Sequence, residues 1–64
     1  MNMQVPQELI RTAAQKRYEW RMARKFPGDA DSDWCSANIR VEAYWATGAT
    51  YKDILEAIDG WYNI

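Results

Sequence analysis

The sequence predicts a small all-α fold: one helical domain over residues 1–64, built as a three-helix bundle with a long first helix and two shorter ones. Three observations predict it. Apolar residues recur at helical spacing in three segments. Pro27-Gly28 and Gly48 separate those segments as breakers. Capping residues, Asp31-Ser32 and Thr50, stand just ahead of the second and third.

The first helix is expected over residues 6–25. Pro6 has the fixed φ that suits a first helical turn, and Pro27-Gly28 stops the run. Leu9, Ala13, Trp20 and Ala23 fall within roughly 80° of one another on a helical wheel. Ile10, Ala14, Tyr18 and Met22 make a second stripe on another side, so this helix asks for two partners.

The second helix is expected over residues 33–46. Asp31 or Ser32 caps it, Asp33 complements its positive end, and Gly48 supplies the left-handed residue beyond its last turn. Trp34, Ala37, Val41, Tyr44 and Trp45 share one side, and Cys35, Ile39 and Ala46 form a weaker stripe. The third helix is expected over residues 51–59. Thr50 and Asp53 have the spacing of a capping box, Ile54, Leu55, Ile58 and Trp61 continue an apolar stripe, and Gly60 ends it. Trp61, Tyr62, Asn63 and Ile64 then form a tail against the core or a partner.

A chain of 64 residues buries only about 60% of its unfolded surface, so its own core is marginal. With one cysteine and no histidine, neither a disulfide nor the usual metal site can staple it, which leaves self-association. No cofactor and no metal are expected. Four Trp and four Tyr are many for this length, and such rings anchor interfaces. The first residues lack the pattern of a secretory signal, and no apolar run is long enough to span a membrane; the expected location is the cytoplasm.

Catalysis is not expected. Acid–base or nucleophilic chemistry needs a group titrating near neutral pH or a nucleophile beside a base, and histidine is absent. Asp29, Asp31 and Asp33 open like a calcium loop, but Trp34 stands where that loop needs Gly and Arg40 where it needs a closing Glu. Helix capping is the reading kept. Cys35, without a second cysteine, is expected as a small buried core residue.

Net charge is −1, but it is unevenly divided. Residues 1–26 carry six basic side chains against two acidic ones, +4, while the remainder carries two against seven, −5. Arg17, Arg21 and Arg24, with Lys25 at the edge, lie along one side of the first helix and could track phosphates. A solvated face, or a match to the acidic half, competes with that reading.

Arg17-Tyr18-Glu19, Phe26-Pro27-Gly28-Asp29 and Asp33-Trp34-Cys35-Ser36-Ala37 together resemble a family of small bacterial helical-hairpin domains of unknown function. The resemblance covers about residues 10–37, departs at Asn38 where that pattern has Glu, and implies a helical hairpin with no assigned activity. In size and aromatic content the chain also resembles small accessory proteins of bacteriophages and mobile elements, many of which bind and block a host protein. The expected function is therefore a non-enzymatic protein–protein interaction module of that inhibitory kind. Its expected partners are itself, as a homodimer or small ring, and a second, unidentified protein. Trp20, Tyr18, Met22, Trp61 and Tyr62 are the candidate contact residues. The alternative is a nucleic-acid or nucleotide binder that uses Arg17, Arg21, Arg24 and Lys25.

Overall fold

A computed structural model describes residues 4–62. Three helices are present, α1 (Gln7–Ala23), α2 (Ala30–Ala46) and α3 (Tyr51–Trp61), with no strand among the described residues. The protein is thus the small all-α three-helix bundle that the spacing predicts, although α1 and α2 prove equal in length. Asn63 and Ile64 of the expected tail lie outside the described residues.

Helix α1 stops at Ala23, two residues short of expectation. Lys25 takes a left-handed conformation (φ 53°), and the Phe26 and Lys25 N–H groups donate to the Arg21 and Met22 carbonyls at 2.8 and 3.3 Å. This is the two-bond closure that usually has glycine at its left-handed position. Sequence reasoning passed over it because lysine gives no such signal. Pro27 then keeps the preceding residue out of helical space.

Helix α2 begins one turn earlier than expected. Its cap is Asp29, which is extended (φ −145°) and whose Oδ1 accepts from the Ser32 N–H at 2.8 Å. The expected caps, Asp31 and Ser32, instead lie inside the first turn of the helix. Starting at Ala30 leaves Asp33 free to turn inward, and that choice builds the structure's main polar contact. At the other end Gly48 (φ 92°) and Ala49 donate to Trp45 and Tyr44 in the predicted glycine closure.

Helix α3 begins with the predicted capping box: the Asp53 N–H donates to Thr50 Oγ1 at 3.1 Å and the Thr50 N–H to Asp53 Oδ2 at 3.2 Å. It then runs through Gly60 to Trp61. Gly60 is the penultimate residue of the helix, where glycine costs less than the roughly 1 kcal/mol it costs in a helix interior. Here packing of Trp61 edge-on against Tyr44, 4.9 Å between ring centres, and burial of Tyr62 offset it.

Helices α1 and α2 form an antiparallel hairpin: Arg21 meets Asp33 near the turn, and Ile10 and Trp45 line one groove at the far end. Helix α3 returns parallel to α1, since Tyr51 bonds Glu8, Lys16 pairs with Asp59, and Trp20 touches Tyr62 in succession along it. The core between them is Leu9, Ile10 and Ala13 of α1, Ala37 and Val41 of α2, Ile54 and Ile58 of α3, and Tyr62. Trp20, Trp45 and Trp61 pack partly buried around it. The tryptophans flank the core because aliphatic side chains fill the narrow space where three helices meet.

Among the described residues no helix is long and apolar enough to cross a membrane.

Candidate functional site

The antiparallel hairpin folds the chain's uneven charge back on itself. The basic end of α1 lies against the acidic start of α2, and Arg21 and Asp33 are both buried. Arg21 Nε donates to Asp33 Oδ1 and Oδ2 at 3.0 and 3.3 Å, and Nη2 donates to Oδ2 at 2.9 Å. A planar guanidinium matched to a carboxylate in this way is the strong, geometrically specific form of ion pair. Hydrogen bonding to Asp33 raises the Arg21 pKa above its ordinary value, outweighing the opposing effect of burial. Arg17 joins from one turn earlier, its Nε 3.4 Å from Asp33 Oδ1 and without a hydrogen bond. On the α3 side Lys16 pairs with Asp59 at 3.5 Å, both in solvent.

This geometry decides most of the fate of the basic stripe. Arg21 is committed to the interior and Arg17 lies largely covered beside it, so neither presents a free guanidinium to a phosphate. Arg24 and Lys25 are exposed, and the Arg24 guanidinium lies over the Trp20 ring, 5.2 Å from its centre. Arg17 faces the same ring at 5.8 Å. The four residues expected as a phosphate track therefore do not form one continuous exposed row.

The candidate contact residues divide as well. Tyr18 and Met22 are well exposed on the outer side of α1. Trp20 and Trp61 are half-buried, and Tyr62 belongs to the core rather than to an open face. Sequence reasoning missed Trp34. Its spacing places it on the inward stripe of α2, yet it is exposed, because the row that faces inward is Asp33, Ala37 and Val41, and Trp34 stands at its edge. Cys35 is exposed too, which corrects its expected burial: it lies on the solvent side of α2 with Ile39, about half a turn from Ala37 and Val41.

Tyr18 and Trp34 stand on either side of an open cleft of about 360 Å³ between α1 and the start of α2. Arg21 and Asp33 contribute to its lining, Ala14 and Ala30 keep it open, and Arg11 and Gln15 lie along the α1 rim. The Arg21 guanidinium also lies 5.5 Å from the Tyr18 ring centre, a cation–π contact that fixes the ring's position. The cleft thus has a preformed polar pair in its lining, small-residue walls and two aromatic edges, with Met22 one turn beyond Tyr18. A larger depression of about 580 Å³ near the start of α1 is lined equally by polar residues, Gln4, Gln7, Asn38 and Glu42, and apolar ones, Val5, Ile10, Trp45 and Ala46. The smaller cleft is the better receptacle for an apolar side chain.

No family model, curated protein or solved structure matches this chain.

Proposed function

We propose that the protein is a non-enzymatic protein–protein interaction module whose contact surface is the cleft edged by Tyr18 and Trp34, with Met22 extending it along α1. The observation that carries this reading is the placement of two exposed aromatic side chains, Tyr18 and Trp34, on one preformed cleft, with exposed Met22 one turn beyond. Aromatic anchors beside a well-packed pocket are the usual energetic centres of protein interfaces. Catalysis is disfavoured by the same residues, because Arg21 and Asp33, the polar pair in the cleft's lining, are hydrogen-bonded to each other and Asp33 is paired with Arg17 as well. The occupant that suits the cleft is an apolar side chain projected by a partner protein. The resemblance to phage and mobile-element accessory proteins makes that partner a host protein, which the small chain binds and inhibits.

The test is capture from host extract by the immobilised wild-type protein and by Tyr18→Ala and Trp34→Ala variants, quantified by mass spectrometry. Both residues are exposed, so the variants fold, which circular dichroism verifies. One or more proteins held by wild type and lost from both variants is the expected result. An identical captured set for all three proteins overturns the assignment of the cleft.

A further inference from the structure

The outer face of α1 has a property that a pocket for a foreign side chain does not require: it is complementary to itself. Residues four apart form rows along a helix surface, and two adjacent rows face solvent here. One is Arg11, Gln15 and Glu19; the other is Tyr18 and Met22, with Ala14, partly buried against the core, at its inner end. In the first, opposite charges sit four residues either side of Gln15, roughly 12 Å apart at 1.5 Å per residue. Arg11 and Glu19 are both exposed, and the Gln15 amide donates to Glu19 Oε2 at 3.3 Å, which orders that row.

A two-fold symmetric contact requires that when one residue meets a second, the second also meets the first. We infer that two copies of the chain pair through this face, with their α1 helices antiparallel about a two-fold axis beside Gln15. Arg11 of each copy then meets Glu19 of the other, twice. Tyr18 meets Tyr18 of the second copy close to the axis, and Met22 lies over Ala14, a residue small enough to receive it. Rows of this spacing pack with helices crossing at about −50°, the commonest class in globular proteins. Parallel pairing about the same face would instead place Arg11 beside Arg11 and Glu19 beside Glu19.

The area is sufficient for a modest dimer. Tyr18 and Met22 are 44% and 55% exposed. At about 200 Å² for a large side chain they leave roughly 200 Å² of surface per copy. With the polar row around them, two copies bury on the order of 1,000 Å², the lower bound for a specific interface. The dimer accordingly forms at micromolar rather than nanomolar concentration, to within an order of magnitude. This inference deepens the interaction reading and rests on it: the second copy is one occupant of the surface that Tyr18 and Met22 define.

Sedimentation equilibrium at low salt tests it, with wild type, Arg11→Glu, Glu19→Arg and the double variant Arg11→Glu/Glu19→Arg. Each single variant replaces two attractions by two repulsions and weakens the dimer by roughly tenfold or more. The double variant exchanges the charges, restores both pairs and brings association back to within about threefold of wild type. Lys52→Glu, an exposed change on α3, leaves it unaffected. A wild-type monomer at the highest concentration, or a dimer indifferent to the single reversals, overturns the pairing. So does a double variant no better than the singles. Extract capture on the same proteins separates the two proposals: a partner still lost with Tyr18→Ala leaves the interaction reading standing when the two-fold pairing fails.

Discussion

Replacing Gly28 by alanine probes the contact on which the hairpin turns. A Cβ at position 28 would lie 2.9 Å from Arg21 Cδ and 3.2 Å from Nε. Carbon atoms prefer about 3.5–4.0 Å, so one side must move. Arg21 cannot swing away cheaply, because Nε and Nη2 are hydrogen-bonded to Asp33 on the far side. The backbone is also unfavourable for a side chain, with φ at 155°. Overpacking costs about 1–3 kcal/mol and a poorly populated backbone conformation a similar amount, so Gly28→Ala should cost about 2–4 kcal/mol. A 64-residue domain has roughly 3–10 kcal/mol in total.

Urea unfolding, followed by tryptophan fluorescence and far-ultraviolet circular dichroism, reads the change. With a slope of about 1 kcal/mol per molar, the midpoint falls by about 2 M or more. The two contributions separate in an Arg21→Val/Asp33→Leu background, where an apolar pair replaces the ionic one and no atom stands at the Cδ or Nε position. There the backbone cost remains and the steric cost vanishes, so the penalty shrinks by about 1–2 kcal/mol. A penalty equal in the two backgrounds, or one below about 0.5 kcal/mol in wild type, refutes the claim that Gly28 is dictated by Arg21.

Two further outcomes follow from the core and from the α1–α3 contact. Ile58→Ala removes a fully buried side chain and should cost about 2–5 kcal/mol, lowering the thermal midpoint by about 10 °C or more; a fall of only a few degrees would show that Ile58 is not enclosed by all three helices. The Tyr51 hydroxyl donates to Glu8 Oε2 at 3.1 Å, and that bond, then partial burial, then the carboxylate's charge, hold its pKa above the usual 10. The folded pKa exceeds the unfolded one, so the contribution to stability is complete below pH 10 and fades as pH rises through the folded value. In difference titrations at 295 nm, the step lost in Tyr51→Phe should lie above pH 10; a step at or below 10 contradicts the bond.

Much of the fold was legible because its signals are local. Thr50 with Asp53, and Gly48 after α2, act through bonds within one turn of themselves, so the sequence displays them in full. The apolar spacing located Leu9, Ala13, Ala37, Val41, Ile54 and Ile58 because burial follows periodicity. What escaped was set by contacts between segments. Nothing near Asp29, Asp31 or Ser32 says which of them caps α2; Arg21, twelve residues before Asp33, breaks the tie. The same contact takes Arg21 out of the basic stripe and puts Asp33 in the inward row with Trp34 at its edge, so the candidate site was the least legible part. Tyr18 and Met22 were found from the surplus stripe on α1. Their place beside Trp34, at the edge of a cleft, depended on Asp33 taking the inward row of α2.

The order of the helices has a kinetic consequence. α1 and α2 are neighbours in sequence, joined by six residues, and their pairing closes a short loop. α3 docks parallel to α1, and its first contact, Tyr51 on Glu8, spans 43 positions. Loop closure over that distance is the one slow search in an otherwise local fold. The hairpin should therefore form first and α3 attach last, so substitutions at Ile54 and Ile58 will chiefly accelerate unfolding, while those at Ala13 and Ala37 will slow folding. Amide exchange should find α3 to be the part of the molecule that most often lets go on its own.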